Sequence, residues 1–137
     1  MALWLFKQEP TCYSFADLQR DGRTVWDGVG NDLARKHLRQ VKKGDRVLFY
    51  HTGKEKAVVG VMRAAADARP APTADDPGAV EVEMTPAAAL ARPVSLAEIK
   101  ADSLLAEWDL VRLPRLSVMP ATREQWRRIE ELAAANR

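Results

Sequence analysis

Residues 26–52, WDGVGNDLARKHLRQVKKGDRVLFYHT, constrain the fold more than any other stretch. They read as a glycine-bearing loop, a short basic helix, a turn and a β-strand in direct succession. Asn31 is a good N-cap, and Ala34, Leu38 and Val41 recur behind it at i, i+4 and i+7. That spacing predicts a helix through about Val41 with one buried stripe. Lys43-Gly44-Asp45 turns the chain into a strand over 46–52. Its two-residue period puts Val47, Phe49 and His51 on one face and Leu48 and Tyr50 on the other.

The flanking segments supply the remainder of a scaffold. Residues 2–7 are a short apolar run closed by Pro10, which predicts a buried strand with Lys7 on the face of Leu3 and Leu5. Ser14 with Asp17, Ser95 with Glu98, and Thr122 with Gln125 have capping-box spacing, so a helix is expected after each. Trp126, Ile129 and Ala133 then form the buried stripe of the last helix. Residues 57–62 read as a strand whose Gly60 marks a bulge or bend. Residues 64–78 read as a surface loop, 79–84 as a half-exposed strand and 115–118 as a late strand, while 104–113 is ambiguous. Short strands at irregular spacing with helical insertions predict an α+β fold with a small curved sheet or barrel. The 137 residues suit a single domain over 1–137.

Charge singles out the same stretch. Residues 30–56 hold eight basic side chains against three acidic ones, net +5, while 67–109 hold three against nine, net −6. Basic groups interleaved with aromatics suit an anionic partner such as nucleic acid. The acidic region would suit a protein partner. One cysteine and two histidines predict no disulfide, no metal site and no cofactor. No apolar run approaches the ~20 residues of a membrane span, and the amino-terminal ten residues do not form a signal peptide, so a cytoplasmic protein is expected. Phosphate-loop, dinucleotide and nucleophile-elbow motifs are absent from the sequence. What remains is a binding constellation: Trp26 and Phe49 as stacking faces, Asn31 and His51 for edge hydrogen bonds, and Arg35 for an anion.

Those residues carry a resemblance. Trp4-Leu5-Phe6-Lys7-Gln8-Glu9-Pro10, Tyr13-Ser14-Phe15 with Asp17-Leu18, Trp26-Asp27-Gly28-Val29 with Asn31, Ala34-Arg35, Leu38-Arg39, Lys43-Gly44-Asp45, Phe49-Tyr50-His51, Val59-Gly60 and Arg115-Leu116-Ser117-Val118 with Pro120 stand in the order of the EVE domain family. The chain resembles that family, which is PUA-like and related to YTH domains. The resemblance implies a small mixed β-barrel flanked by helices. It also implies a non-enzymatic pocket for a modified base, a cytosine or adenine, in DNA or RNA. The implied ligand-binding positions are Trp26, Asn31, Ala34, Arg35, Phe49 and His51, with Lys7, Glu9, Ser14 and Arg115 near the cleft. Gly30, Lys36 and Thr52 depart from the family's usual Arg, Asn and Ser. The alternative reading is a nucleoside-processing hydrolase or sensor using Lys7, Glu9 and His51 as acid and base; a monomer is expected in either case.

Overall fold

The computed structural model describes residues 1–135. In chain order the elements are β1 (Leu3–Gln8), α1 (Phe15–Asp21), β2 (Thr24–Trp26), α2 (Asp32–Leu38), β3 (Arg46–His51) and β4 (Ala57–Ala64). There follow β5 (Arg69–Pro70), β6 (Val80–Ser95), α3 (Leu96–Ala101), α4 (Asp109–Arg112), β7 (Val118–Pro120) and α5 (Arg123–Ala134). The main sheet runs β2-β6-β4-β3-β1-β7, and β5 pairs with β6. Only the β1–β3 pairing among these is parallel.

The sheet is curled. Four strand spacings separate β2 from β1, which in a flat sheet is about 19 Å. Yet the ring of Trp26 in β2 lies 5.3 Å from Phe6 in β1 and 5.4 Å from Phe49 in β3. The strands therefore bend into a half-barrel whose interior these rings fill. Helix α2 contacts both β6 and β7, and α5 packs against β6. Both faces of β3 are consequently covered, and Val47 through His51 are all buried. The expected α+β fold, a small mixed β-barrel flanked by helices, is observed with its curled mixed sheet forming a half-barrel.

Local chemistry set the helix starts. Ser14, Ser95 and Thr122 each accept a hydrogen bond from the third helical residue, whose side chain accepts in return from the cap's own N–H. Asn31 caps α2 as expected. The Gly60 irregularity is also real: β3 pairs Phe49 with Gly60 but Tyr50 with Val58, so Val59 is the extra residue of a bulge.

Several boundaries differ from expectation. Helix α2 ends at Leu38, and Val41 N–H bonds to Leu38 C=O in a tight turn. The turn still points Val41 inward, where it is fully buried. The expected 79–84 strand continues to Ser95 because β4 supplies partners along its length, including Met62 opposite Pro86 and Val58 opposite Val94. The late strand begins only at Val118, since Leu116 N–H is turned back to Leu113 C=O. The loop over 64–78 contains β5, and the ambiguous 104–113 contains α4.

Candidate functional site

The loop over 27–31 joins β2 to α2 and separates two clefts. Gly28 takes a left-handed φ of 71°, which lets the loop turn without a Cβ penalty. Asn31 Oδ1 accepts from Ala34 N–H at 2.9 Å and fixes the far end of the loop to the helix. Arg35 holds its middle: Nε donates to Val29 C=O at 2.5 Å while Nη2 pairs with the Asp76 carboxylate. Arg35 is thus a strut between two loops, with its charge already matched.

The first cleft, about 180 Å³, is lined by Gln8, Tyr13, Thr24, Val25, Trp26 and Asp27. Trp26 lines it by an edge only: the residue is 5% exposed, with its indole packed against Phe6 and Phe49. The second cleft, about 280 Å³, is lined by Asn31, Leu33, Arg112, Leu113, Pro114, Arg115 and Leu116. The end of β1 serves both. Gln8 faces the first, and Lys7 anchors the wall of the second by donating from Nζ to Pro114 C=O at 3.0 Å and from its backbone N–H to Ser117 C=O at 2.9 Å. The Lys7 ammonium also lies 5.6 Å from the centroid of Tyr50. Burial holds its pKa below the ordinary lysine value and pushes the Tyr50 phenol up to about 12.

The other expected site residues have structural partners. Phe49 and Ala34 are fully buried. Phe49 packs edge-on against Phe15, Trp26 and His51, so it backs the Trp26 wall from inside. His51 Nε2 accepts from Phe15 N–H at 3.0 Å, which puts the ring proton on Nδ1, 2.8 Å from Glu55. Glu9 accepts from Thr52 Oγ1 at 3.3 Å, and Ser14 caps α1. Arg115 reaches the second cleft and makes no ion pair with another described residue.

The three acid–base candidates do not share a target. Lys7 leaves the sheet beside Tyr50, whereas His51 lies on the opposite face beside Phe49. Glu9 turns to Thr52. Among the described residues no group of three His, Cys, Asp or Glu could hold a metal, and no helix is long and apolar enough to cross a membrane.

Sequence reasoning missed Gln8, Tyr13, Asp27, Leu33 and Leu113 as cleft residues. Gln8 alternates with Phe6 and Trp4 on one strand face, a signal available from β1 alone. Leu33 and Leu113 carry no such signal, because only the packing of the 112–116 segment beside α2 brings them together.

Comparison with known proteins agrees with this architecture. Human thymocyte nuclear protein 1 is 29% identical over 157 aligned positions, covering 90% of this chain and 70% of that protein. The solved structure of a Rhodopseudomonas palustris protein is 34% identical with a TM-score of 0.90, over 97% of this chain and 93% of that one. The crystal structure of human THYN1 protein in complex with 5-methylcytosine-containing DNA superposes with a TM-score of 0.92 over 100% of both chains, at 27% identity. The EVE domain model itself matches residues 2–132. With that match running from β1 into α5, over the strands, caps and loop described above, the chain belongs to the EVE domain family.

Proposed function

We propose that this chain binds nucleic acid without catalysing a reaction, and that it receives one modified base, such as a methylated cytosine in DNA, in the cleft walled by Trp26. The observation that carries this reading is the end-to-end structural match to the human protein whose crystal structure holds 5-methylcytosine-containing DNA. The geometry is compatible in size and chemistry. A cleft of about 180 Å³ suits a single base rather than a larger ligand. The exposed edge of the Trp26 indole closes one side of the cleft, and Gln8 and Asp27 offer an amide and a carboxylate to a base edge.

The remaining candidates take supporting roles in this reading. Asn31, bonded to Ala34 N–H, and Arg35 hold the loop, Phe49 backs Trp26, and Ser14, Glu9 and His51 fix the segment after β1. Lys7 and Arg115 supply positive charge for phosphate. The dispersal of Lys7, Glu9 and His51 among different partners favours binding over hydrolysis, which needs one substrate atom within reach of its acid and base.

Titration of oligonucleotides carrying cytosine or 5-methylcytosine tests the proposal. The methylated probe binds more tightly, and Gln8→Ala or Asp27→Ala removes that preference while the melting temperature holds. Equal affinity for both probes, or a preference surviving both substitutions, rejects it.

A further inference from the structure

Five large apolar side chains are exposed among the described residues: Met1, Val25, Leu33, Leu104 and Leu113. Three of them flank the 27–31 loop. Val25 borders the Trp26 cleft, while Leu33 and Leu113, 40% and 42% exposed, border the second. Leu33 comes from the first turn of α2 and Leu113 from the C-cap of α4. Their convergence, with Pro114 and the buried Leu116, makes an apolar trough rather than two scattered side chains.

The trough has a charged rim of one sign. Arg112 and Arg115 are the ionisable side chains that line it. Arg112 meets Glu107 only at 4.0 Å, with both side chains mostly exposed, an ion pair of little strength. Arg115 makes no ion pair with another described residue, and no carboxylate is among the described residues that line the cleft. An apolar floor under two available guanidiniums matches a base and sugar joined to phosphate. Its volume of about 280 Å³ exceeds the roughly 180 Å³ of the Trp26 cleft read as a single-base site, which leaves room for a sugar beside a base. The Trp26 cleft and this trough are also tied mechanically. Asp27 and Asn31 end the same loop, and the adjacent Lys7 and Gln8 support one cleft each.

We infer that the trough formed by Leu33, Leu113 and Pro114 is a second nucleotide subsite, which holds the nucleotide next to the modified base. The inference rests on the reading of the Trp26 cleft as the base site. The flanking base and sugar lie on the leucines and proline, and Arg112 meets the 3′ phosphate that joins them to the modified nucleotide, a group that a 5′-monophosphate probe lacks. Affinity therefore depends on the length of the nucleic acid as well as on the modification.

The test compares 5-methyl-2′-deoxycytidine monophosphate with a trinucleotide carrying 5-methylcytosine between two thymidines, by calorimetry. Wild type binds the trinucleotide about tenfold more tightly than the mononucleotide. The double variant Leu33→Ser with Leu113→Ser, and separately Arg112→Gln, lose most of that gain and keep the mononucleotide affinity. Their exposure leaves the melting temperature unchanged. If wild type gains nothing from the added nucleotides, or if the variants keep the gain, the subsite is overturned while the base reading stands. If the variants lose mononucleotide affinity equally, the trough is the base site itself and the inference fails. If wild type binds neither probe, the base reading fails and the subsite falls with it.

Discussion

The ring of Phe15 occupies the space into which a side chain at Gly60 would grow. A Cβ on Gly60 would lie 2.5 Å from the Phe15 ring, closer than any van der Waals contact permits. Phe15 opens α1, and Gly60 sits beside the β4 bulge, so this contact docks the helix onto the half-barrel. Gly60→Ala is therefore expected to destabilise the fold by about 1–3 kcal/mol, the usual cost of overpacking. Denaturant melts check this. A companion Phe15→Leu substitution should recover part of the loss, and an undiminished penalty in the double variant would refute the steric account.

Asp45 is a buried acceptor with three donors. Its carboxylate receives Ala2 N–H at 3.0 Å, Trp4 Nε1–H at 3.0 Å and Lys42 N–H at 2.9 Å. It thereby ties the start of β1 to the turn before β3. Asp45→Ala strands these donors and should cost about 2–4 kcal/mol. Asp45→Asn keeps acceptor capacity on one oxygen only and should fall between. A loss below that of an ordinary surface substitution in both variants would contradict this.

Arg35 is expected to act on the binding loop rather than on a ligand. Its fork spans Val29 and Asp76, two partners that one ammonium cannot bridge with the same geometry. Arg35→Lys should lower stability by about 1–2 kcal/mol and speed amide exchange across 27–31. Asp76→Ala should reproduce part of the faster exchange. Exchange unchanged in both would show that the strut is dispensable.

Lys7 and Tyr50 give opposite pH dependences. The folded-state pKa of Lys7 is held below 10.5, so approaching that pH the unfolded chain binds more protons and stability rises with pH. Tyr50 keeps its proton in the folded state to about 12 against 10.0 unfolded, so stability falls across that interval. Lys7→Met should remove the rise and keep the fall; Tyr50→Phe should keep the rise and lessen the fall, the rest of which belongs to Tyr13, whose phenol burial also raises. Chemical denaturation from about pH 9 to about pH 12 measures both slopes, and identical curves in the three proteins would refute the assignment.

Gly30 offers a gain-of-function test. Its φ is not in the left-handed region, and an added Cβ meets nothing within 4 Å. Gly30→Arg should leave the melting temperature within experimental error. On the nucleic-acid reading it raises affinity at low salt and steepens the salt dependence by about one phosphate contact. An unaltered salt slope would argue against nucleic acid passing this loop.

Much of the scaffold was legible because its signals are local. The four side-chain N-caps, Ser14, Asn31, Ser95 and Thr122, depend on hydrogen bonds spanning three residues, so these four helix starts could be read from the chain, whereas α4, whose N-cap Trp108 makes no side-chain cap bond, could not. The two faces of β3 followed from the strand period, and the family from motifs lying in order. The length of β6 was not legible, because its partners on β4 decided it.

The sequence by itself determined the α+β class, the starts of α1, α2, α3 and α5, the buried stripes of α2 and α5, and the concentration of basic and aromatic residues over 26–52. Only the tertiary structure decided which of those side chains a ligand can reach. Curling of the sheet drew Phe49 into the interior behind Trp26, and a loop 41 residues away delivered Asp76 to Arg35. Packing of the 112–116 segment beside α2 brought Leu33 and Leu113 to one cleft. The physical reason is range: caps and strand faces are fixed by neighbours within a few residues, whereas exposure and charge pairing depend on segments far apart in the chain.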